Sequence, residues 1–361
     1  MSRFGRTVAR ATGALLTALM LAGLCTGVAA AQTATPGAAS DLAAVKQYAV
    51  EHATAQKAAT EQLVRFAGRY YDLAEGTGFD YQALWDSNTP EVAGLLAASK
   101  GSWLEASTHY EMSEGLIAGI PSLAYYDVWI DSGPSGEEDA AEALDWTLEL
   151  PNGQKLEKPG NIYHHLTEPI VWGTDERFVG PELDIDGDGK QELGEVLPEA
   201  NVFLASSQVL DTAAGEMLAA VNEWEPTIED AFTALATMIP TMSEYFEQWK
   251  LSSFVTGETS TEKSFVATSR LFDVNGILTG LNLTYDEVGS AVEEVDPELH
   301  GQITAGFEDL TTFVADLYQQ EIDGKRFTPD EADLFGSEAQ AKATALTGQV
   351  SQAIALLGLQ V

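Results

Sequence analysis

Two histidines stand side by side at His164 and His165, and Glu168 follows three residues after the second. Side chains three apart share a helix face, so His165 and Glu168 can present a nitrogen and an oxygen to one ion. That donor pair suits iron, zinc or manganese. Pro169 comes next; it cannot donate to the carbonyl of His165 and it biases Glu168 toward extended backbone, so a helix here is kinked or ended. Taken alone, the pair has an ordinary alternative: histidines hydrogen-bonded in a partly apolar core.

Sixteen residues beyond Glu168 the chemistry becomes more specific. Asp184, Asp186 and Asp188 occupy positions 1, 3 and 5 of a twelve-residue loop, Gly189 position 6 and Glu195 position 12. This is D-x-D-x-D-G-x5-E in full. Calcium takes six to eight hard oxygens. Alternate side chains converge on one point, the glycine permits a sharp turn, and the final glutamate supplies two oxygens. The pattern predicts Ca2+ held by Asp184, Asp186, Asp188, the backbone carbonyl of Lys190, Glu192 directly or through water, and Glu195. Gly180 and Pro181 leave no helix entering the loop, and there is one copy, so the expected role is a structural clamp and not a sensor. The ordinary alternative is a solvated acidic turn.

The charge balance points the same way. The 361-residue chain has 18 Lys+Arg against 56 Asp+Glu, a formal net charge of −38. Such a surface attracts cations at long range; adaptation to salty surroundings would produce the same bias. It excludes nucleic acid and anionic membrane surfaces as partners, since phosphate binding needs basic residues. Residues 1–31 read as a secretory leader. Arg3, Arg6 and Arg10 precede an apolar run to Leu24, and Ala29-Ala30-Ala31 offers a cleavage site. The run is short for a membrane span. Export makes the expected location periplasmic or secreted. Cleavage removes Cys25, the single cysteine, so metal must be bound by nitrogen and oxygen, not by thiolate.

The elements around these residues read as helical. Apolar spacing predicts helices over 41–75, 89–100, 101–117, 197–225, 227–250 with a kink at Pro240, 263–281, 297–320 and 328–357. Residues 32–40 read as a linker. Residues 121–160 are irregular, with a small hairpin at the Asn152-Gly153 turn. No later stretch is apolar enough to span a bilayer.

The segment NIYHHLTEPIVWG, with HxxE at His165–Glu168, resembles the motif of the imelysin-like family. That family includes EfeO-type periplasmic iron-uptake proteins and algal secreted iron-assimilation proteins. HYEMSEGLIAGIPSL (109–123), SRLFDVNGIL (269–278) and RFTPDEADLFGSEAQ (326–340) look like further segments of the same family. Tyr163 stands where the family's motif has glycine. The resemblance implies an all-α fold of two antiparallel helical bundles, with the HxxE site in the cleft between them. On that layout residues 32–130 form the N-terminal bundle, 131–196 a loop-rich insertion with the motif and the calcium loop, and 197–361 the C-terminal bundle. It also implies His165 and Glu168 as metal ligands, with Glu111 and Glu114 facing them from the other bundle unless they lie on a solvated helix face. Arg270 and Asp273 are either supports of the site or a surface ion pair. Tyr110 and Tyr163 are either phenolate donors or packed core.

Three functions compete. The first is an exported, non-enzymatic protein that captures iron (Fe2+ or Fe3+) for an uptake system with a membrane permease or peroxidase-like partner. The second is a metallopeptidase, a label this family has also carried, although H-E-x-x-H is absent and no nucleophile constellation stands out. The third is a calcium-stabilised surface or adhesion module.

Overall fold

The computed structural model describes residues 42–361, apart from the side chain of Glu258, and all of them belong to one compact unit spanning Ala38–Val361. The expected leader over 1–31 and linker over 32–40 lie outside the described residues. The fold is all-α. Eight long helices carry it: α1 (Ala43–Gly76), α2 (Tyr81–Ile117), α3 (Ala200–Glu223), α4 (Ile228–Met238), α5 (Met242–Leu251), α6 (Arg270–Val295), α7 (Pro297–Ile322) and α8 (Pro329–Leu357). Among the described residues, no helix is long and apolar enough to cross a membrane.

Each long helix forms because one stripe of its surface is apolar. On α1 the buried residues Val45, Ala49, Ala53, Leu63, Ala67, Tyr70 and Ala74 recur at helical spacing. Side-chain caps fix the starts: Asp80 accepts from the amide of Ala83 before α2, and Thr227–Asp230 and Thr328–Glu331 form capping boxes before α4 and α8. Helix α1 packs on α2 and on α3; α6 packs on α2 and α7; α8 packs on α5 and α7. The boundary expected at 196/197 does not follow this packing, because α3 lies against α1.

Several element expectations are corrected. Residues 89–100 and 101–117 belong to one helix that begins at Tyr81. Asn88 departs from helical geometry (φ −136°), which lets Pro90 be accommodated without ending the helix. Helix 227–250 is divided by a 3-10 turn at Ile239–Thr241 that contains Pro240. The segment 263–269 is not helical; α6 starts at Arg270, capped by Ser269. The hairpin expected at Asn152-Gly153 is present as β1 (Thr147–Glu149) and β2 (Lys155–Glu157), antiparallel. A second antiparallel pair, β3 (Val179–Glu182) and β4 (Val196–Pro198), closes the base of the aspartate loop.

The crossing of α2 and α6 positions the chemistry. A Cβ built on Gly280 would lie 2.8 Å from the carbonyl oxygen of Met112, and one on Gly276 3.3 Å from the backbone of Glu111. Only small residues let the two backbones approach this closely where α2 carries Glu111. Gly280→Val forces the helices apart. It should destabilise the protein by about 1–3 kcal/mol in urea unfolding; an unchanged midpoint would show that the crossing is looser than described.

Candidate metal centre

Three segments converge on His164. The first is the end of α2, which contributes Glu111 and Glu114 from one helix face. The second is a one-turn helix, Ala124–Asp127, that runs into a π-helical turn, Val128–Ser132. It contributes Asp127 and Asp131. The third is another π-turn, Tyr163–Thr167, that runs into the short helix Glu168–Val171. Each π-turn is closed by a bond spanning five residues, from the amide of Gly133 to the carbonyl of Val128 and from that of Glu168 to the carbonyl of Tyr163. Gly133 is required: a Cβ there would sit 2.1 Å from the Val128 oxygen. Asn161 clasps the two turns. Its Oδ1 accepts from the amide of His164 at 2.7 Å and its Nδ2 donates to the carbonyl of Gly133 at 3.1 Å.

His164 is held at both nitrogens. Nδ1 lies 2.8 Å from Glu168 Oε2 and Nε2 3.0 Å from Asp131 Oδ1. Glu168 is in turn locked by backbone. Its Oε1 accepts from the amides of Val266 and Ala267, and its Oε2 from that of Phe265. Three successive amides converge on one carboxylate because Phe265 adopts φ +54°, an unfavourable conformation for a side chain of its size, forming an anion nest. The Phe265 ring then packs on the imidazole, 4.1 Å between centroids.

Around this hub lies an excess of buried carboxylate. Glu111, Glu114, Asp127, Asp131 and Asp273 are all buried. Glu111, Asp131 and His164 place ligand atoms within 4.8 Å of one another, and so do Glu114, Asp127 and Asp131. Tyr110 donates to Asp127 at 2.6 Å, Ser132 to its other oxygen at 2.7 Å, and Tyr245 to Glu114 at 2.6 Å. Arg270 is buried between the rings of Tyr245 and Phe265 and pairs with Asp273 at 2.6 Å. One oxygen each of Glu111, Glu114 and Asp273 has no hydrogen-bond partner. A buried acceptor left unsatisfied costs about 1–3 kcal/mol, more when charged, so these oxygens fit a cation. A cleft of about 590 Å³, lined by Glu114, Asp127, Asp131, His164 and Arg270 among others, reaches the cluster.

A family model described as imelysin, designated peptidase M75, matches residues 28–357. The chain belongs to the imelysin family. No curated protein matches it. Family membership and the buried acid–histidine clusters are together compatible with a metal-related protein.

The imelysin-like HxxE pair is not brought together. His165 points away from Glu168, its Nε2 2.7 Å from Glu138 Oε2. The reason is the π-turn: with more than four residues per turn, the side chain facing Glu168 is the one four residues before it, His164. Glu168 is held by His164 Nδ1 and three backbone amides. Glu111 and Glu114 do lie in the cluster, buried and not on a solvated face. Arg270 and Asp273 form a buried pair and not a surface one. Tyr110 reaches the cluster through Asp127. Tyr163 is packed core, its hydroxyl accepting from Gln56 Nε2 at 3.0 Å. Asp127 and Asp131 were missed in a stretch that looked irregular; the i, i+4 acids of DVWID were the available signal.

In the aspartate loop, Asp184, Asp186 and Glu195 place ligand atoms within 4.8 Å. Asp184 accepts from the amides of Gly187 and Gly189, and Glu195 from those of Ile185, Asp186 and Glu192. Asp188 lies outside that trio and accepts from the amide of Lys190. The Lys190 ammonium lies 3.1 Å from Asp188 and 3.9 Å from the exposed Glu192. Lys100 of α2 donates to the carbonyl of Gly194 at 2.7 Å, tying the loop to the bundle.

Burial sets the protonation of the cage. It raises Glu111 well above the usual carboxylate range, helped by Asp273 and Glu114. It raises Glu114 to about 8, with Asp131 adding to the effect. It raises Asp127 to about 6, against hydrogen bonds from Ser132 and Tyr110, and Asp273 to about 6, against Arg270. For His164 burial acts downward, but Asp131 and then Glu168 override it and lift the imidazole to about 10. For Asp131 burial acts upward and the His164 charge overrides it, so Asp131 is lowered.

The raised groups hold protons that the unfolded chain has already released, so stability falls as pH rises. For the raised acids the loss begins near their ordinary values and ends at their folded ones; for His164 it runs from its ordinary value to about 10. Lowered Asp131 contributes stability only above its folded value, in the acid range. The chelator-treated protein should therefore lose urea stability steadily from pH 5 to pH 9, and metal should flatten the profile. A flat metal-free profile would contradict this protonation pattern.

Proposed function

We propose that the protein is an exported metal-binding protein that captures iron for an uptake system. The observation that carries this is the buried cage. Glu111, Asp131 and His164 offer two oxygens and a nitrogen at one point, and unpartnered carboxylate oxygens surround them. Imidazole with carboxylates and no thiolate suits Fe2+ or Fe3+ and other transition ions. Glu168 holds the His164 proton on Nδ1 and leaves Nε2 for the ion, as metal-bound histidines require. The cleft gives ions a path, and the acidic surface concentrates them. The leader-like start supports a periplasmic or secreted location, and a permease or peroxidase-like protein as the receiver.

His164→Ala should lower ferrous-iron affinity at least tenfold in anaerobic titration, while His165→Ala should leave it nearly unchanged. Equal losses in the two variants would return the site to the HxxE pair.

The family designation favours a second reading, a metallopeptidase. A hydrolytic metal needs an open water position and a base beside its protein ligands. Iron capture predicts no metal-dependent cleavage of a broad peptide library; cleavage lost in His164→Ala would favour the peptidase.

We also infer that the aspartate loop binds Ca2+ as a structural clamp between β3 and β4. Asp184, Asp186 and Glu195 converge, and positive φ at Gly189 (+85°) provides the turn. Calcium should raise the melting temperature, and Asp186→Ala should abolish the rise. An undiminished rise in the variant would place calcium elsewhere.

A further inference from the structure

We propose that the cage holds two divalent cations at once, bridged by Asp131. The proposal rests on the metal-binding reading of the cage and adds the number and class of its ions. The two buried ligand groups overlap: Glu111, Asp131 and His164 form one, and Glu114, Asp127 and Asp131 the other. Asp131 is common to both. A carboxylate has two oxygens and can give one to each of two ions.

Two further observations favour a pair over a single ion. Glu111 and Glu114 lie three residues apart on α2, so they face the same space, and each retains a buried oxygen with no partner. One is 1% exposed and the other 3%. A single ion in the first group leaves the Glu114 oxygen unsatisfied; a second ion beside Glu114 and Asp127 engages it. The formal charge agrees. Arg270 is neutralised by Asp273 and Glu168 is held by three amides. Once deprotonated to ligate, Glu111, Glu114, Asp127 and Asp131 carry four negative charges beside an imidazole that is neutral when it ligates. Two divalent ions would replace the protons that burial keeps on these acids and balance the four carboxylates. A bridging carboxylate spans the ion separation of about 3.5–4 Å found in two-metal centres.

The two positions differ in chemistry. The first includes imidazole and suits Fe2+, Mn2+ or Zn2+. The second offers oxygen alone and suits the harder Mn2+ or Fe2+. The first should fill before the second.

Mn2+ provides the test, because its electron paramagnetic resonance distinguishes isolated ions from exchange-coupled ones. Full-length protein titrated with Mn2+ should show a coupled spectrum as the second equivalent enters. The aspartate loop cannot mimic this signal, since it has no bridging partner. Asp127→Asn should give only the isolated-ion spectrum and lose one bound equivalent by equilibrium dialysis. An isolated spectrum in the parent protein at every loading, with His164-dependent Mn2+ bound, overturns the pair but leaves single-ion binding intact. Absence of any His164-dependent Mn2+ overturns both. Should Asp127→Asn not fold, the parent spectrum alone decides between one ion and two.

Discussion

The structure depends on one arrangement: three backbone amides hold the Glu168 carboxylate, and that carboxylate orients His164. The amides of Phe265, Val266 and Ala267 come from the approach to α6, and Glu168 lies next to a π-turn in the loop-rich segment. The contact therefore ties the helix carrying Arg270 and Asp273 to the turn carrying the imidazole. It engages both oxygens of Glu168, so that residue positions the imidazole. A carboxylate paired to the far nitrogen of a metal-binding histidine fixes its tautomer and ring direction.

Local irregularity buys this geometry. Two π-turns, a phenylalanine at positive φ and a glycine without room for a Cβ come together around His164. Strain of this kind persists where the surroundings over-determine it, and it clusters at functional sites. Here the surroundings are specific. Trp103 donates to Thr167 at 2.8 Å and packs edge-on against Tyr163 and Trp172. The long helices supply the stability, and the irregular turns aim the side chains.

Much of the helical layout was legible in the sequence, because apolar stripes and caps act locally. Helices α1, α7 and α8 lie close to their expected bounds, and the Asn152-Gly153 hairpin follows from its turn residues. The boundaries that went astray depend on tertiary contacts. Pro90 sits inside α2 because Asn88 absorbs the kink, and residues 263–269 stay non-helical where Glu168 engages the amides of Phe265, Val266 and Ala267. The candidate site was legible by region and not by residue. Glu111 and Glu114 are in the cage, but choosing the i, i+3 pair selected His165 where the i, i+4 partner His164 faces Glu168. No pattern in the sequence marks a five-residue turn, and the i, i+4 spacing of Asp127 and Asp131 lay in a stretch without helical periodicity. The family resemblance gave the correct family and placed the motif one residue from the imidazole that faces the acids.

The account's central claim is that the buried acids around His164 exist to hold metal. X-ray diffraction from crystals grown with iron, recorded at the iron absorption edge, tests it most directly. The account predicts anomalous density among Glu111, Asp131 and His164. Density beside His165 and Glu138, or none within the cage at full iron loading, would contradict it.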